Sequence, residues 1–159
     1  MKKGKIKLLF ICLGNICRSP AAHAVMQKLV DDNDLQDAIE VDSAGIGNWH
    51  VGQLPDSRMR ERGSLRGYRV DHHARQFDAA HDFAYFDYIV VMDEDNYRNI
   101  TRQAHGSDDA SKVVRMADYF SQYPNATSVP DPYYGGISDF DRALDLIEDG
   151  CSGLLKQLI

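Results

Sequence analysis

Cys12 and Arg18 are separated by five intervening residues in the run Cys12-Leu13-Gly14-Asn15-Ile16-Cys17-Arg18-Ser19-Pro20. A loop of that length can close so that a thiol and a guanidinium face one anion, while successive backbone N–H groups and the N-terminus of a following helix point at the same spot. Such a concentration of positive potential favours the thiolate, the nucleophilic form of cysteine. Arg18 presents a planar fork of donors that can grip two phosphoryl oxygens, a task for which lysine is a poor substitute. The chemistry indicated is phosphoryl transfer to sulfur. Gly14 and Asn15 suit positions of positive φ in a tight loop, and the Asn15 amide can tie the loop together. The run lacks the lysine of the G-x4-G-K-[ST] pattern, which disfavours ATP or GTP as ligand. Cys17 reads either as a small residue lining the loop or as a redox partner for Cys12.

A loop of this kind needs a strand before it and a helix after it. Ile6 to Cys12 is a nearly continuous apolar run, the pattern of a strand buried on both faces of a parallel sheet. After it come Ser19, suited to cap a helix, Pro20, suited to open one, and helically spaced Ala21, Val25, Met26, Leu29 and Val30. Further strands are expected at Ile39 to Ala44, Asp87 to Met92 and, more weakly, Lys112 to Met116, with helices at Asp93 to Ala104 and Gly136 to Leu158. Gly150 and Gly153 count against the end of the last helix. Alternating strands and helices imply an α/β three-layer sandwich, with a central, mostly four-stranded parallel sheet and helices on both faces. Ligands of such sheets sit at the carboxyl ends of the strands, where the Cys12 loop lies.

The chain has 159 residues, enough for one core, so residues 1–159 are expected to form a single domain. A net charge of −6 argues against nucleic acid and anionic membrane as partners. No apolar run approaches the length of a membrane span, and Met1-Lys2-Lys3 leads into no signal pattern, which makes a cytoplasmic location the expectation. Three cysteines do not make a disulfide framework.

The segment Cys12 to Pro20 near the N-terminus resembles the signature of the low-molecular-weight protein tyrosine phosphatases. Asp42-Ser43-Ala44-Gly45, Trp49-His50-Val51-Gly52, Ala74-Arg75-Gln76, Met92-Asp93 and Asp131-Pro132-Tyr133-Tyr134 resemble that family's other blocks, in the same order. The resemblance implies that Cys12 attacks phosphorus and Arg18 binds the phosphoryl group. It makes Asp131 the general acid toward the leaving phenol and then the base that activates water, and proton transfer of this kind is what expulsion of a phenoxide needs. It also implies that Leu13, Gly14, Asn15, Ile16, Cys17 and Ser19 form the phosphate cradle, and that Trp49, Tyr133 and Tyr134 wall a slot for a substrate ring. Ser43 and His72 would then support the loop by hydrogen bonds. The implied partners are a tyrosine-phosphorylated protein and inorganic phosphate or a similar oxyanion in the loop.

Neither cofactor nor metal is expected. His72 and His73 are adjacent in sequence, and neighbouring side chains in an extended segment point apart. Arg58 to Gly67, a helix in the family, carries Gly63 and little apolar periodicity here, and Ser57 stands where proline is common. The cluster Phe83, Tyr85, Phe86 and Tyr88 is expected in or near the core. Two rival functions share the loop. An arsenate reductase of the same fold needs resolving cysteines, and only Cys151 lies beyond the loop. Against a non-catalytic phosphotyrosine-binding module stands the intact set of Cys12, Arg18 and Asp131.

Overall fold

In strand β1, Ile6–Cys12, side chains alternate between two apolar environments, which is why the segment reads as a continuous apolar run. Leu8, Phe10 and Cys12 belong to one buried cluster, and Leu9 and Ile11 to another on the opposite face of the sheet. The computed structural model describes residues 4–159, so Met1-Lys2-Lys3 and the reading of that segment as no signal lie outside the described residues. β2 is Ile39–Gly45, β3 Tyr88–Val91 and β4 Val113–Arg115. All pairings are parallel and the strand order is β2-β1-β3-β4, with Leu8 opposite Val41 and Leu9 opposite Ile89. The chain departs to opposite sides of β1 for β2 and β3, so the crevice beyond the end of β1 is the switch point of the sheet.

Helices cover both faces. α1, Arg18–Asp32, and α6, Ile137–Leu158, pack with the Leu8 cluster through residues such as Val25, Met26, Leu144 and Ile147. α3, Ala79–Tyr85, and α4, Glu94–Arg102, supply Phe83 and Ile100 to the Leu9 cluster, which also takes in Phe86, with Tyr85 packed beside it. Tyr88 packs against the other cluster. A short α5, Ser107–Ser111, precedes β4, and a single 3-10 turn, Met116–Tyr119, follows it. Met116 thus leaves the strand that the sequence pattern allotted to it. None of the helices is long and apolar enough to cross a membrane among the described residues.

Two features of the sequence that weaken helix expectations have a packing explanation. α2, Ser57–Leu65, lacks an apolar stripe because ion pairs hold it to α6: Arg62 with Asp141 at 2.8 Å, and Arg66 with Asp145 at 2.9 Å and Glu148 at 2.8 Å. Its Gly63 lets Val70 approach, since a Cβ there would stand 2.7 Å from Val70 Cγ2. α6 runs unbroken through Gly150 and Gly153, where a Cβ would overlap the Met116 sulfur and the Tyr119 carbonyl oxygen respectively. The glycines cost helix propensity but let the 3-10 turn lie against the helix.

Asp149 of α6 is buried and accepts hydrogen bonds from the backbone N–H groups of Ser121, Gln122 and Tyr123 at 3.0–3.1 Å. Burial alone would raise its pKa, but the donors at Gln122, Ser121 and Tyr123 outweigh burial and hold it below the ordinary carboxylate value. A carboxyl depressed on folding contributes stability that is present above its unfolded pKa of about 3.9 and is lost as pH falls through the folded value. Asp149→Asn is therefore expected to lower unfolding free energy by about 1.5–3 kcal/mol at pH 7. Urea titrations at several pH values should show the deficit shrinking toward acid; a deficit constant down to pH 3 would refute this account.

Candidate active site

The loop from Cys12 to Cys17 closes because its carbonyls are held from outside. Ile46 N–H donates to the Cys12 carbonyl at 3.0 Å, Gly47 N–H to Leu13 at 2.9 Å and Asp56 N–H to Ile16 at 2.8 Å. The N–H groups from Leu13 to Arg18, by contrast, have no backbone acceptor among the described residues. A run of inward N–H groups ending on a helix N-terminus is an anion nest. Ser19 does not cap α1, contrary to the expectation from sequence. The cap position is Cys17, it makes no side-chain cap bond, and Pro20 sits third in the helix, still within the first turn where its missing N–H costs nothing. The uncapped end leaves donors for a ligand.

The Ser19 hydroxyl turns inward, 3.0 Å from Cys12 Sγ. Asn15 Nδ2 donates to Ser19 Oγ at 2.7 Å and to Ser43 Oγ at 3.2 Å, and Asn15 Oδ1 accepts from Arg75 N–H at 3.0 Å. The Ser19 hydroxyl can then donate to sulfur, with the Ala44 carbonyl at 3.4 Å as its longer alternative acceptor. Asn15 has φ 59°, the left-handed conformation that asparagine tolerates, whereas Gly14 is not in that region. Gly14 is required for space instead: a Cβ would lie 3.0 Å from His50 Cδ2.

Arg18 is 2% exposed, and its geometry divides its donors. Nη1 donates to Asp93 Oδ2 at 2.7 Å and to the Val129 carbonyl at 2.8 Å, fixing the guanidinium plane. Nη2 lies 3.7 Å from Asp131 Oδ2, and the buried Nε has no partner in the protein. Burial would lower the Arg18 pKa, but the negative charge of Cys12 and Asp93 more than compensates and keeps the guanidinium ionised. Burial pushes the Cys17 thiol up, helped by Cys12, Asp56 and Asp131, so Cys17 stays a protonated, weakly nucleophilic thiol.

Cys12, Leu13, Gly14, Ile16, Cys17 and Arg18 form the floor of a cavity of about 300 Å³. Its walls are Trp49, His50, Asp131, Tyr133 and Tyr134, with Trp49 65% and Tyr134 93% exposed, so the rim is aromatic and open. Asn15, Ser19 and Ser43 are fully buried behind the floor. His72 Nε2 lies 3.0 Å from the Ser43 carbonyl. Asp131 Oδ1 accepts from Tyr133 N–H at 3.1 Å, a local turn that aims the carboxyl inward.

Several residues here were given no role from sequence, although Asp93 and His50 fall in blocks that resemble the family's. Asp93 follows β3 and caps α4, and the rule that ligands gather at strand ends could have flagged it. His50 and Arg58 carry no pattern of their own. Arg58 pairs with Asp56 at 2.9 Å and donates to the Tyr133 carbonyl at 2.9 Å, bracing the Asp131 loop to the residue that holds Ile16. His23 of α1 lies 3.2 Å from Ser43 Oγ, and burial together with His72 lowers its pKa to about 4. Cys151 is fully buried, its thiol against the Ala22 carbonyl at 3.8 Å, which withholds it from solvent and from the thiol exchange that a reductase's resolving cysteine performs.

Comparison with known proteins agrees with this geometry. Residues 7–159 match the family model described as low molecular weight phosphotyrosine protein phosphatase. The protein slr0328 of Synechocystis sp., which bears the same family name, is 50% identical over 153 residues, covering 96% of each chain. A protein tyrosine phosphatase from Entamoeba histolytica, solved with Hepes in its active site, superposes with a TM-score of 0.93 at 45% identity over 97% of each chain. A Drosophila structure named as an arginine phosphatase has a TM-score of 0.87 at 33% identity, covering 96% of this chain and 97% of that one. The chain belongs to the low molecular weight phosphotyrosine protein phosphatase family.

Proposed function

We propose that the protein hydrolyses phosphotyrosine, in proteins and as small aryl phosphates, through a phosphocysteine on Cys12. The observation that carries this reading is the set of uncommitted donors around Cys12: the N–H groups from Leu13 to Arg18 and the buried Arg18 Nε. Buried donors without partners are costly, and a phosphoryl group would satisfy them together. In the first step the Cys12 thiolate attacks phosphorus, the P–O bond to the phenol breaks, and Asp131 gives the departing oxygen its proton. In the second, the Asp131 carboxylate takes a proton from water, which attacks phosphorus and expels the thiolate. The Ser19 hydroxyl, 3.0 Å from sulfur, steadies that thiolate in both steps. Arg18 and the nest hold the equatorial oxygens as charge shifts between them. Trp49 and Tyr133 form walls suited to a flat ring above the cradle, and a short phosphoserine stem would leave that apolar surface unfilled. The enzyme needs neither metal nor cofactor in this scheme.

Acid quenching during turnover of an aryl phosphate should trap phosphate on Cys12, located by peptide mapping. Turnover with no trapped phosphocysteine, even in an Asp131 variant, would sink the mechanism. Parallel assays on phosphotyrosine, phosphoserine and phosphoarginine peptides and on arsenate decide the substrate class. The phosphoarginine arm is prompted by the Drosophila relative's name.

Arg58 positions Asp131 in this reading, because its guanidinium ties the Tyr133 carbonyl to Asp56 and stacks 4.5 Å from the Phe140 ring. Arg58→Gln is expected to lower kcat/KM, which reports the leaving-group step, about 10-fold more on phenyl phosphate than on p-nitrophenyl phosphate, whose leaving group needs little protonation, with inhibition by phosphate unchanged. Arg62→Gln, which removes a pair to α6, should alter stability but not that ratio. Equal losses on both substrates would make Arg58 merely structural.

A further inference from the structure

Two histidines and a carboxylate meet behind the phosphate loop, and the reaction uses neither imidazole directly. His23 comes from α1, Asp42 from β2 and His72 from the segment between α2 and α3, and one ligating atom of each lies within 4.8 Å of the others. The rings stand 4.9 Å apart, tilted by 57°. His72 Nε2 and Asp42 Oδ1 are 3.7 Å apart, near the roughly 3.3–3.5 Å between two ligands of a tetrahedral ion with bonds of about 2.0–2.2 Å. Each ring makes one hydrogen bond to Ser43, and its second nitrogen has no protein partner among the described residues. His23 and His72 line a cavity of about 470 Å³, separate from the substrate cavity, which gives water and ions access.

The surrounding charge is mixed. Asp31, Asp32 and Asp71 line the cavity together with Lys28 and Arg69. Arg75 engages Asp42 through Oδ2 at 3.1 Å and is shared with the buried Asp82 at 3.0 Å, leaving Asp42 Oδ1 toward His72. Ser43 N–H also donates to that oxygen at 2.8 Å, which leaves it a second lone pair.

We propose that His23, His72 and Asp42 form a binding site for a divalent ion of the zinc type, and that occupancy inhibits the phosphatase. Two imidazoles and one carboxylate suit Zn²⁺, Co²⁺ and Ni²⁺, whereas Mg²⁺ and Ca²⁺ want oxygen. Water from the cavity completes the coordination. For His72 to ligate through Nε2 its ring proton moves to Nδ1 and the bond to the Ser43 carbonyl is given up; no electron is transferred. Ser43 is the residue that Asn15 grips from the loop side, so a shift there reaches Ser19 and Cys12 through Asn15. The ion acts from outside the reaction and is not a cofactor of it.

The binding test uses the Cys12→Ser protein, which removes the loop thiolate as a competing soft ligand and makes the readout independent of turnover. Titration with Co²⁺ should produce visible d–d bands of a four- or five-coordinate ion at one equivalent, without sulfur charge transfer, displaced by Zn²⁺ and not by Mg²⁺. His23→Gln on that background keeps a hydrogen-bonding group for Ser43 but loses the imidazole, and should weaken Co²⁺ binding at least 10-fold. His72→Ala should do the same. Absence of bands, or bands indifferent to both substitutions, overturns the site. In the enzyme with Cys12 intact, His23→Gln should raise the Zn²⁺ concentration for half-inhibition by a similar factor. Binding with unchanged inhibition overturns the regulatory half of the proposal.

Discussion

Cys12→Ser is expected to reduce turnover of aryl phosphates by on the order of 10⁴-fold or more while phosphate or vanadate still binds. The asymmetry follows from the division of labour in the loop. In the proposed mechanism the anion is held by backbone N–H groups from Leu13 to Arg18 and by the Arg18 guanidinium, none of which the substitution touches. The covalent step, however, depends on sulfur as the nucleophile, and a serine hydroxyl has no base beside it: its near neighbour Ser19 is another hydroxyl. Steady-state kinetics with calorimetry on phosphate would read the two effects separately. Cys17→Ser provides the contrast, since burial keeps Cys17 protonated and it should lose far less activity. Retained turnover in Cys12→Ser would remove the nucleophile assignment, and loss of phosphate binding with it would mean that the cradle depends on sulfur.

What could be read in the sequence was what lies close together along it. β1, the loop and the start of α1 are contiguous, so a single run of residues announces nucleophile, cradle and helix. The parallel sheet was legible for the same reason, because strands buried on two faces are written as unbroken apolar runs. Side chains that reach the loop from afar were not legible. Asp93 and the Val129 carbonyl, which fix the plane of Arg18, lie 75 and 111 residues away, and although Asp93 stands at a strand end, nothing local ties either to Arg18. Ser19 was misread because a serine before a proline has the pattern of a cap, while the fold spends its hydroxyl on Cys12. α2 was hard to recognise because its adhesion to α6 is ionic, and charge pairs across 79 residues leave no periodicity. His23 belongs to no motif, and only the fold brings it to Ser43.

Asp131 is the residue for which sequence alone was weakest, since Pro130-Asp131-Pro132 has the composition of an ordinary turn. The fold supplies a reason to test it: Asp131 walls the cavity, its Oδ1 is fixed by Tyr133 N–H, and its Oδ2 faces Arg18 Nη2 at 3.7 Å. Asp131→Asn preserves the shape and the bond to Tyr133 but cannot donate or accept the catalytic proton. It is expected to lower kcat on phenyl phosphate and phosphotyrosine about 10²–10⁴-fold, the range of general acid–base catalysis. With p-nitrophenyl phosphate the first step should survive, because that phenolate leaves without help, while hydrolysis of phosphocysteine still lacks its base. The variant should then show a burst of nitrophenolate near one equivalent, followed by a slow steady state. A uniform loss on both substrates without a burst would mean that Asp131 serves only to orient Arg18. A burst with a steeper dependence on leaving-group basicity than the parent enzyme assigns both proton transfers to one carboxyl, in keeping with Asp131 being the one carboxyl that lines this cavity among the described residues.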